Sequence, residues 1–410
     1  MQEHLAQMVA LGDTAVREET MEQLLPGENH TQGVQRTVIP MALGGHRGMG
    51  ANIWSTNGPM KEKKHAWRYR ENTISSFMAA AEAGATFIEF DVQVTADNHP
   101  VLFHDNYLVY GDSANPSSFL LKDLELVHFK GASPANSTID GGSSCGMSDD
   151  EVSSALPETW PMLGGATNPS SDHDLSGNSP TSIFTKTDLC GGESPRTLLR
   201  QQKNGIVACP SDKSLSAWQV EEEDEFPTLL EVFEKLPPHI AFDIEIKMTT
   251  PDSVVQTPDE EISRVVNAIV HTLGAIETRI QLEGLPKRKI MFSSFDPDVC
   301  FRIKKHRPHD VVMFLSGGGV DAHADPRRTS MDAAIEFAAS NNLQGIIVDS
   351  GALFADQGAV SRARARGLSV MTYGLENDDP LWVVRQKDLH VHGVIVDDVP
   401  RVARHFLGAP

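Results

Sequence analysis

The amino-acid sequence predicts an α/β fold, a distorted (β/α)8 TIM barrel that carries a long irregular insertion. Three observations lead there. Short β-rich apolar runs alternate with helix-patterned segments over roughly 250 residues, as repeated strand–helix units do. Several of the runs are apolar without interruption, as expected of parallel strands covered on both faces. Ionisable residues stand at the ends of consecutive runs, where barrels of this kind build their sites.

The strand candidates are Met41–His46, Thr86–Val94, Pro100–His104, Ile240–Lys247 and Lys289–Ser294, followed by Val311–Ser316, Gln344–Asp349, Leu368–Tyr373 and Gly393–Asp397. Helix candidates lie at Glu71–Ala83, Thr228–Leu236, Asp259–Leu273, Pro297–His306, Ser330–Asn341, Ala355–Arg366 and Asp379–Lys387. Nine runs compete for eight barrel positions. Thr86–Val94 and Pro100–His104 are joined by only Thr95–His99, too short for a helical crossover. One of the two is therefore an irregular hairpin arm or a strand extension, and the barrel is distorted there.

The barrel domain reads as residues 41–405, preceded by an extension, 1–40, that is poorly structured or helical. Residues 106–218 interrupt it as a low-complexity insertion. Ser, Gly, Asn, Pro and Thr dominate there, as in Gly-Gly-Ser-Ser at 141–144, and apolar periodicity is weak. Short helical or β pieces are expected near Leu120–Phe129 and Ser194–Gln202. The segment is either a flexible surface loop without chemistry or a lid or docking element over the barrel mouth.

A formal net charge of −21 argues against a nucleic-acid partner, because a phosphate backbone would be repelled over most of the surface. It also means that any anionic ligand needs a local cluster of cations or a metal ion. Cys145, Cys190, Cys209 and Cys300 are scattered, without a CxxC pair or zinc spacing, which favours a reducing compartment. The first forty residues are acidic and hold no apolar run of signal-peptide length. No stretch approaches the ~18 apolar residues of a membrane span. The expectation is a cytoplasmic protein without stable membrane insertion.

Glu89 and Asp91 are two apart, so on a strand they face the same side, towards the barrel interior. Asp243, Glu245 and Lys247 repeat the spacing on another run. Carboxylates converging in a low-dielectric interior repel unless a cation is shared, and a hard divalent ion, Mg²⁺ or Ca²⁺, suits oxygen ligands. The other reading is a buried ion-pair network around Lys247. His46 and His104 each end an apolar run, and a histidine pair can divide general-base and general-acid roles. Arg47 and Lys247 supply local positive charge; Arg suits bidentate phosphate contact and Lys acts as a point charge. Glu71 either offers a charge or hydrogen bond to the site or simply opens a helix that Asn72 or Thr73 caps.

These residues resemble the glycerophosphodiester phosphodiesterase family, in particular its eukaryotic soluble or plastid-type branch. The matching runs are Gly45-His46-Arg47-Gly48, Glu71-Asn72-Thr73, Phe87 to Thr95 and Pro100 to Asp105. Further on come Asp243-Ile244-Glu245-Ile246-Lys247, Phe292-Ser293-Ser294-Phe295, Tyr373-Gly374 and Gly393 to Asp397. The resemblance covers about 40–110 and 220–405. One departure is Thr372-Tyr373-Gly374-Leu375-Glu376-Asn377, where many bacterial members carry a Trp-Thr-Val-Asn type of run.

The resemblance implies hydrolysis of small glycerophosphodiesters, such as glycerophosphocholine or glycerophosphoethanolamine, to glycerol 3-phosphate and an alcohol. It implies a divalent cation held by Glu89, Asp91 and Glu245, His46 and His104 as the acid–base pair, and phosphate contact from Arg47 and Lys247. We assign His46 as base and His104 as acid. Two alternatives stay open: a lysophospholipase D-type enzyme, which needs an apolar rim, and a non-catalytic protein that senses a phosphodiester.

Overall fold

Nine apolar runs become eight barrel strands and one arm. The computed structural model describes residues 41–52, 67–112, 115–132, 197–201 and 215–406. The barrel strands are β1 Ala42–Gly45, β2 Phe87–Val94, β3 Ala241–Ile246, β4 Ile290–Ser294, β5 Val311–Ser316, β6 Gly345–Asp349, β7 Ser369–Tyr373 and β8 Gly393–Val396. They pair in parallel in the order β1-β8-β7-β6-β5-β4-β3-β2. Pairing of Gly44 with Phe87 and Gly45 with Ile88 joins β1 to β2 and closes the sheet. The ninth run is Pro100–Leu102, which folds back antiparallel on the end of β2, Val92 opposite Leu102. Of the two outcomes the short connection leaves open, hairpin arm or strand extension, it is the arm.

Among the described residues eight helices cover the barrel: α1 Ile74–Glu82, α2 Leu229–Lys235, α3 Asp259–Glu283, α4 Pro297–His306, α5 Met331–Ser340, α6 Gly358–Ala365, α7 Pro380–Asp388 and α8 Val399–Phe406. Their starts are chemically marked. Thr73, Thr228, Asp296, Ser330 and Asp379 each accept a first-turn amide, and Thr228 completes a capping box with Glu231. Two helices depart from expectation. α3 continues past Leu273 because Ile276 and Ile280 prolong its apolar stripe, and Gly284 at φ +64° ends it. The expected Ala355–Arg366 helix starts only at Gly358, as α6, and a separate short helix, Ser350–Ala355 capped by Asp349, precedes it.

Strand alternation sorts the core. From β2, Ile88, Phe90, Val92 and Val94 face the helices; from β3, Phe242, Ile244 and Ile246 do the same. The opposite faces put Phe87 and Ala241 into an apolar barrel floor with Met291, Val311, Met313, Ile347, Met371 and Ile395. Glu89, Asp91, Asp243 and Glu245 continue those inward faces towards the C-terminal mouth.

The described parts of the interrupting segment form short regular pieces. Tyr107–Asp112 and Asn115–Leu120 form a hairpin, Leu126–Gly131 is helical, and Leu199–Gln201 pairs antiparallel with Leu215–Ala217. A second core of Phe103, Leu108, Tyr110, Leu121, Leu124, Phe129, Leu198, Trp218 and Phe226 holds these pieces to the barrel. Its members are spread too widely along the chain to register as periodic. The expected 1–40 extension, most of the insertion, and Cys145, Cys190 and Cys209 lie outside the described residues; Cys300 is a buried free thiol. Among the described residues no helix is long and apolar enough to cross a membrane.

Candidate active site

The first wall grows from the end of β1. After Gly45 the chain turns sharply, with Arg47 at φ +50°, Gly48 at +93° and Gly50 at +104°. His46 N donates to Val396 O at 3.0 Å, and Gly50 N returns to His46 O at 3.0 Å. The Arg47 amide donates to Glu89 Oε2 at 2.8 Å, so the loop backbone itself touches the carboxylates. A Cβ on Gly50 would sit 2.4 Å from the carbonyl oxygen of Asp397. Gly50→Ala is therefore expected to cost about 1–3 kcal/mol, through a strained φ and a displaced Asp397, read as a lower Tm. An unchanged Tm would show that the loop absorbs the methyl.

The second wall is acidic. Asp243 lies in register with Glu89, and Glu245 with Asp91, so two strands set four carboxylates side by side. One oxygen from each of Glu89, Asp91 and Glu245 lies within 4.8 Å of the others. Glu89 Oε1 and Asp91 Oδ1 are buried without a hydrogen-bond donor. Burial, then Asp91 and Glu245, pushes the Glu89 carboxyl well above the usual range. Burial pushes Asp91 the same way, but Arg47, His104 and Lys247 outweigh it and hold that carboxyl low. Asp243, beside Glu89 on the neighbouring strand, is hydrogen-bonded to Ser293 at 2.7 Å, and its carboxyl is raised to about 8, mainly by burial. Three converging carboxylates, two of them with an oxygen that accepts no hydrogen bond, are a ligand set that fits a hard divalent cation.

The cations are already engaged. Arg47 Nη1 donates to Glu71 at 2.9 Å and Nε lies 3.2 Å from Asp91, so its guanidinium is folded inward and buried. Lys247 Nζ is 3.0 Å from Glu245 and 3.5 Å from Asp91, and its side chain keeps 16% exposure at the mouth. Glu71 does not belong to a helix. It precedes α1, which Thr73 caps, and lies buried between Arg47 and Arg200, which hold its carboxyl low against the opposing effect of burial. Asn72, at φ +58°, clamps Asp91 with both ends of its side-chain amide: Nδ2 donates to Asp91 Oδ2, and Oδ1 accepts from the Asp91 backbone amide.

Each histidine has its own carboxylate. His46 Nδ1 is 2.7 Å from Asp397 Oδ1, and its Nε2 is 4.0 Å from Glu89. His104 Nδ1 is 2.8 Å from Asp105 Oδ1. A carboxylate accepts, so Nδ1 carries a proton on both rings, which leaves Nε2 as the nitrogen that can take or give one. Burial, then Arg47 and Lys247, push the His104 imidazolium to a lower pKa. Across the mouth, Phe295 and Tyr373 pack edge to face at 5.7 Å, with Lys247 and Arg328 5.9 and 5.5 Å from the Phe295 ring.

All eight residues singled out from the sequence, His46, Arg47, Glu71, Glu89, Asp91, His104, Glu245 and Lys247, thus come together at one end of the barrel. Four others escaped that reading. Asp105 and Asp397 end runs quoted for the resemblance, and a rule pairing each strand-end histidine with a strand-end acid would have found them. Asn72 was seen only as a cap. Arg200 carries no sequence signal at all.

Fold and site together define a (β/α)8-barrel protein with a carboxylate–histidine centre at the C-terminal mouth. Residues 46–401 match the model of the glycerophosphoryl diester phosphodiesterase family, and the chain belongs to that family. It is 28% identical over 375 residues to glycerophosphocholine phosphodiesterase GDE1 of Eremothecium gossypii, covering 90% of this chain and 26% of the relative. The plant relative, glycerophosphodiester phosphodiesterase GDPD1, chloroplastic, of Arabidopsis thaliana is 28% identical over 87% of this chain and 78% of its own length. The chain therefore spans about a quarter of the fungal relative. A crystal structure from Silicibacter pomeroyi, described as a putative glycerophosphoryl diester phosphodiesterase, shares the fold: TM-score 0.52, 14% identity, 96% of this chain and 97% of that one.

Proposed function

We propose that this chain hydrolyses glycerophosphodiesters, glycerophosphocholine and glycerophosphoethanolamine among them, to sn-glycerol 3-phosphate and an alcohol. The carrying observation is the pairing of two carboxylate-oriented histidines with a buried carboxylate trio. Glu89, Asp91 and Glu245 would hold one divalent cation, Mg²⁺ or Ca²⁺, which when bound supplies positive charge to the phosphodiester oxygens. Lys247 adds a point charge at the mouth, Arg47 adds charge from the loop behind, and Glu71 fixes Arg47 in place.

His46 takes the proton of the attacking hydroxyl on Nε2, since Asp397 fixes Nδ1–H. That hydroxyl is water or the glycerol 2-hydroxyl; the latter gives a cyclic phosphate that water opens. A P–O bond forms to it, the P–O bond to the alcohol breaks, and His104 donates a proton to the departing oxygen. The lowered proton affinity of His104 suits this only with an anionic phosphodiester nearby, whose charge opposes that of Arg47 and Lys247.

The test is release of glycerol 3-phosphate by EDTA-stripped protein from a panel of glycerophosphodiesters, with Mg²⁺ or Ca²⁺ restored separately. Turnover is expected only with a cation. Equal turnover in EDTA rejects the cation, and no turnover on any member rejects the activity.

One observation favours a second reading, a lysophospholipase D-type activity. Phe354, Leu375 and Leu381 are 62%, 53% and 70% exposed, in segments that follow β6 and β7 at the mouth. Ser350 and Glu376 join two of those segments by a 2.7 Å hydrogen bond. The sequence shows no apolar rim because these are single apolar positions in separate segments, not one continuous run. Faster turnover of lysophosphatidylcholine than of glycerophosphocholine in the same panel selects this reading.

A further inference from the structure

Arg200 comes from the interrupting segment, far in sequence from every barrel strand, yet only 4% of it is exposed. Its strand is pinned between backbone partners, with Arg200 opposite Ser216. The guanidinium lies 4.4 Å from the Trp218 ring, and the indole Nε1 donates to Asn52 Oδ1 at 3.0 Å, which ties this platform to the loop after β1. From there Nε and Nη2 donate to the two oxygens of Asp105 at 3.1 and 3.0 Å. Nη2 also donates to Glu71 Oε1 at 2.8 Å, while Nη1 lies 2.8 Å from Glu71 Oε2 and donates to Asn52 O at 3.3 Å.

Charges therefore alternate along one buried chain: Arg47, Glu71, Arg200, Asp105, His104. Its ends are two residues of the barrel site. Packing alone does not call for such a chain, since apolar side chains of similar volume fill a core at no desolvation cost. A lysine there would keep the charge but lose the fork that grips two carboxylates in fixed directions.

We propose that Arg200 is a positioning residue: it holds Asp105 against His104 Nδ1 and Glu71 against Arg47, so that the inserted segment orients a histidine and an arginine of the barrel site. The expected rate effect rests on the phosphodiesterase reading; the orientation of His104 does not.

The test uses the full chain with Arg200→Met and Arg200→Lys. Thermal unfolding, ¹⁵N-imidazole NMR of His104 without substrate (assigned by its loss in His104→Gln), and kcat and KM are measured. In Arg200→Met the Nδ1–H pattern of His104 is expected to disappear, and kcat to fall roughly 10–100-fold with a smaller change in KM, as for other outer supports of a site. Arg200→Lys should recover part of both. A folded Arg200→Met with the wild-type His104 pattern and kcat overturns the proposal. Should Arg200→Met not fold, Arg200→Lys decides: an altered His104 pattern in a folded protein supports the proposal, and an unaltered one with wild-type kcat overturns it. Should the wild type turn over no glycerophosphodiester, the functional reading fails, and the NMR comparison still decides this one.

Discussion

Glu89→Gln is expected to lower turnover by about 10³-fold and to remove the stabilisation that a divalent cation confers. A bound cation supplies several kcal/mol to the developing charge, and about 4 kcal/mol corresponds to three factors of ten. Glutamine keeps the shape of Glu89 and its reach to the Arg47 amide but loses the anionic charge that faces Asp91 and Glu245. Two unfolding series separate the effects. With added Mg²⁺ or Ca²⁺ the wild-type Tm should rise, by linkage, and that of Glu89→Gln should not.

Without cation the order reverses. The folded state raises the Glu89 pKa, so it binds that proton more tightly than the unfolded chain does. Its contribution to stability is present below the ordinary glutamate range and is lost as pH rises through the folded value. Glu89→Gln should lack this decline and be the more stable protein at neutral pH in EDTA. The same cation-induced Tm shift in both proteins would falsify the assignment of Glu89 as a ligand.

Removing either histidine is the second large effect. His46→Ala and His104→Ala are each expected to lose roughly 10²–10⁴-fold in kcat, the usual contribution of a positioned acid or base. Residual activity above about a tenth sinks the role of the residue concerned. Asp397→Asn refines the test for His46. Asp397 Oδ1 also accepts the Ala51 amide at 2.7 Å, and the Asp397 amide is held by Asp378, so the side chain has little freedom to turn. An asparagine there keeps its carbonyl oxygen for the Ala51 amide and His46 Nδ1 but loses the anionic charge that stabilises the imidazolium formed when Nε2 takes a proton. A large loss in Asp397→Asn with an unchanged Tm separates this from a packing defect. Wild-type kcat in Asp397→Asn would mean that His46 needs no counter-charge to act as base.

Much of the fold was legible because parallel strands inside helices are written locally. Val311–Ser316 and Pro297–His306 were read at their observed limits, the one as an uninterrupted apolar run and the other bounded by Asp296-Pro297. The short Thr95–His99 connection, by itself, required one of its two runs to be an irregular arm or a strand extension. Where local signals conflicted, the reading slipped. α3 was stopped at Leu273, beside Gly274, although the apolar stripe goes on to Ile280. Glu71 was placed in a helix that starts only after the Thr73 cap.

What the sequence alone determined is whatever depends on spacing within one strand or loop. That covers the barrel class, the inward pairs Glu89/Asp91 and Asp243/Glu245, and the glycine-rich turn that carries His46 and Arg47. What only the tertiary structure decided is which partner each of those groups meets. Asp397 orients His46 across 351 positions of chain, and Arg200 reaches Asp105 across 95 and Glu71 across 129. Such pairs form because closure of the barrel and docking of the insertion bring distant strand ends together. The charges are then buried where each must find an opposite, and no periodicity along the chain records that requirement.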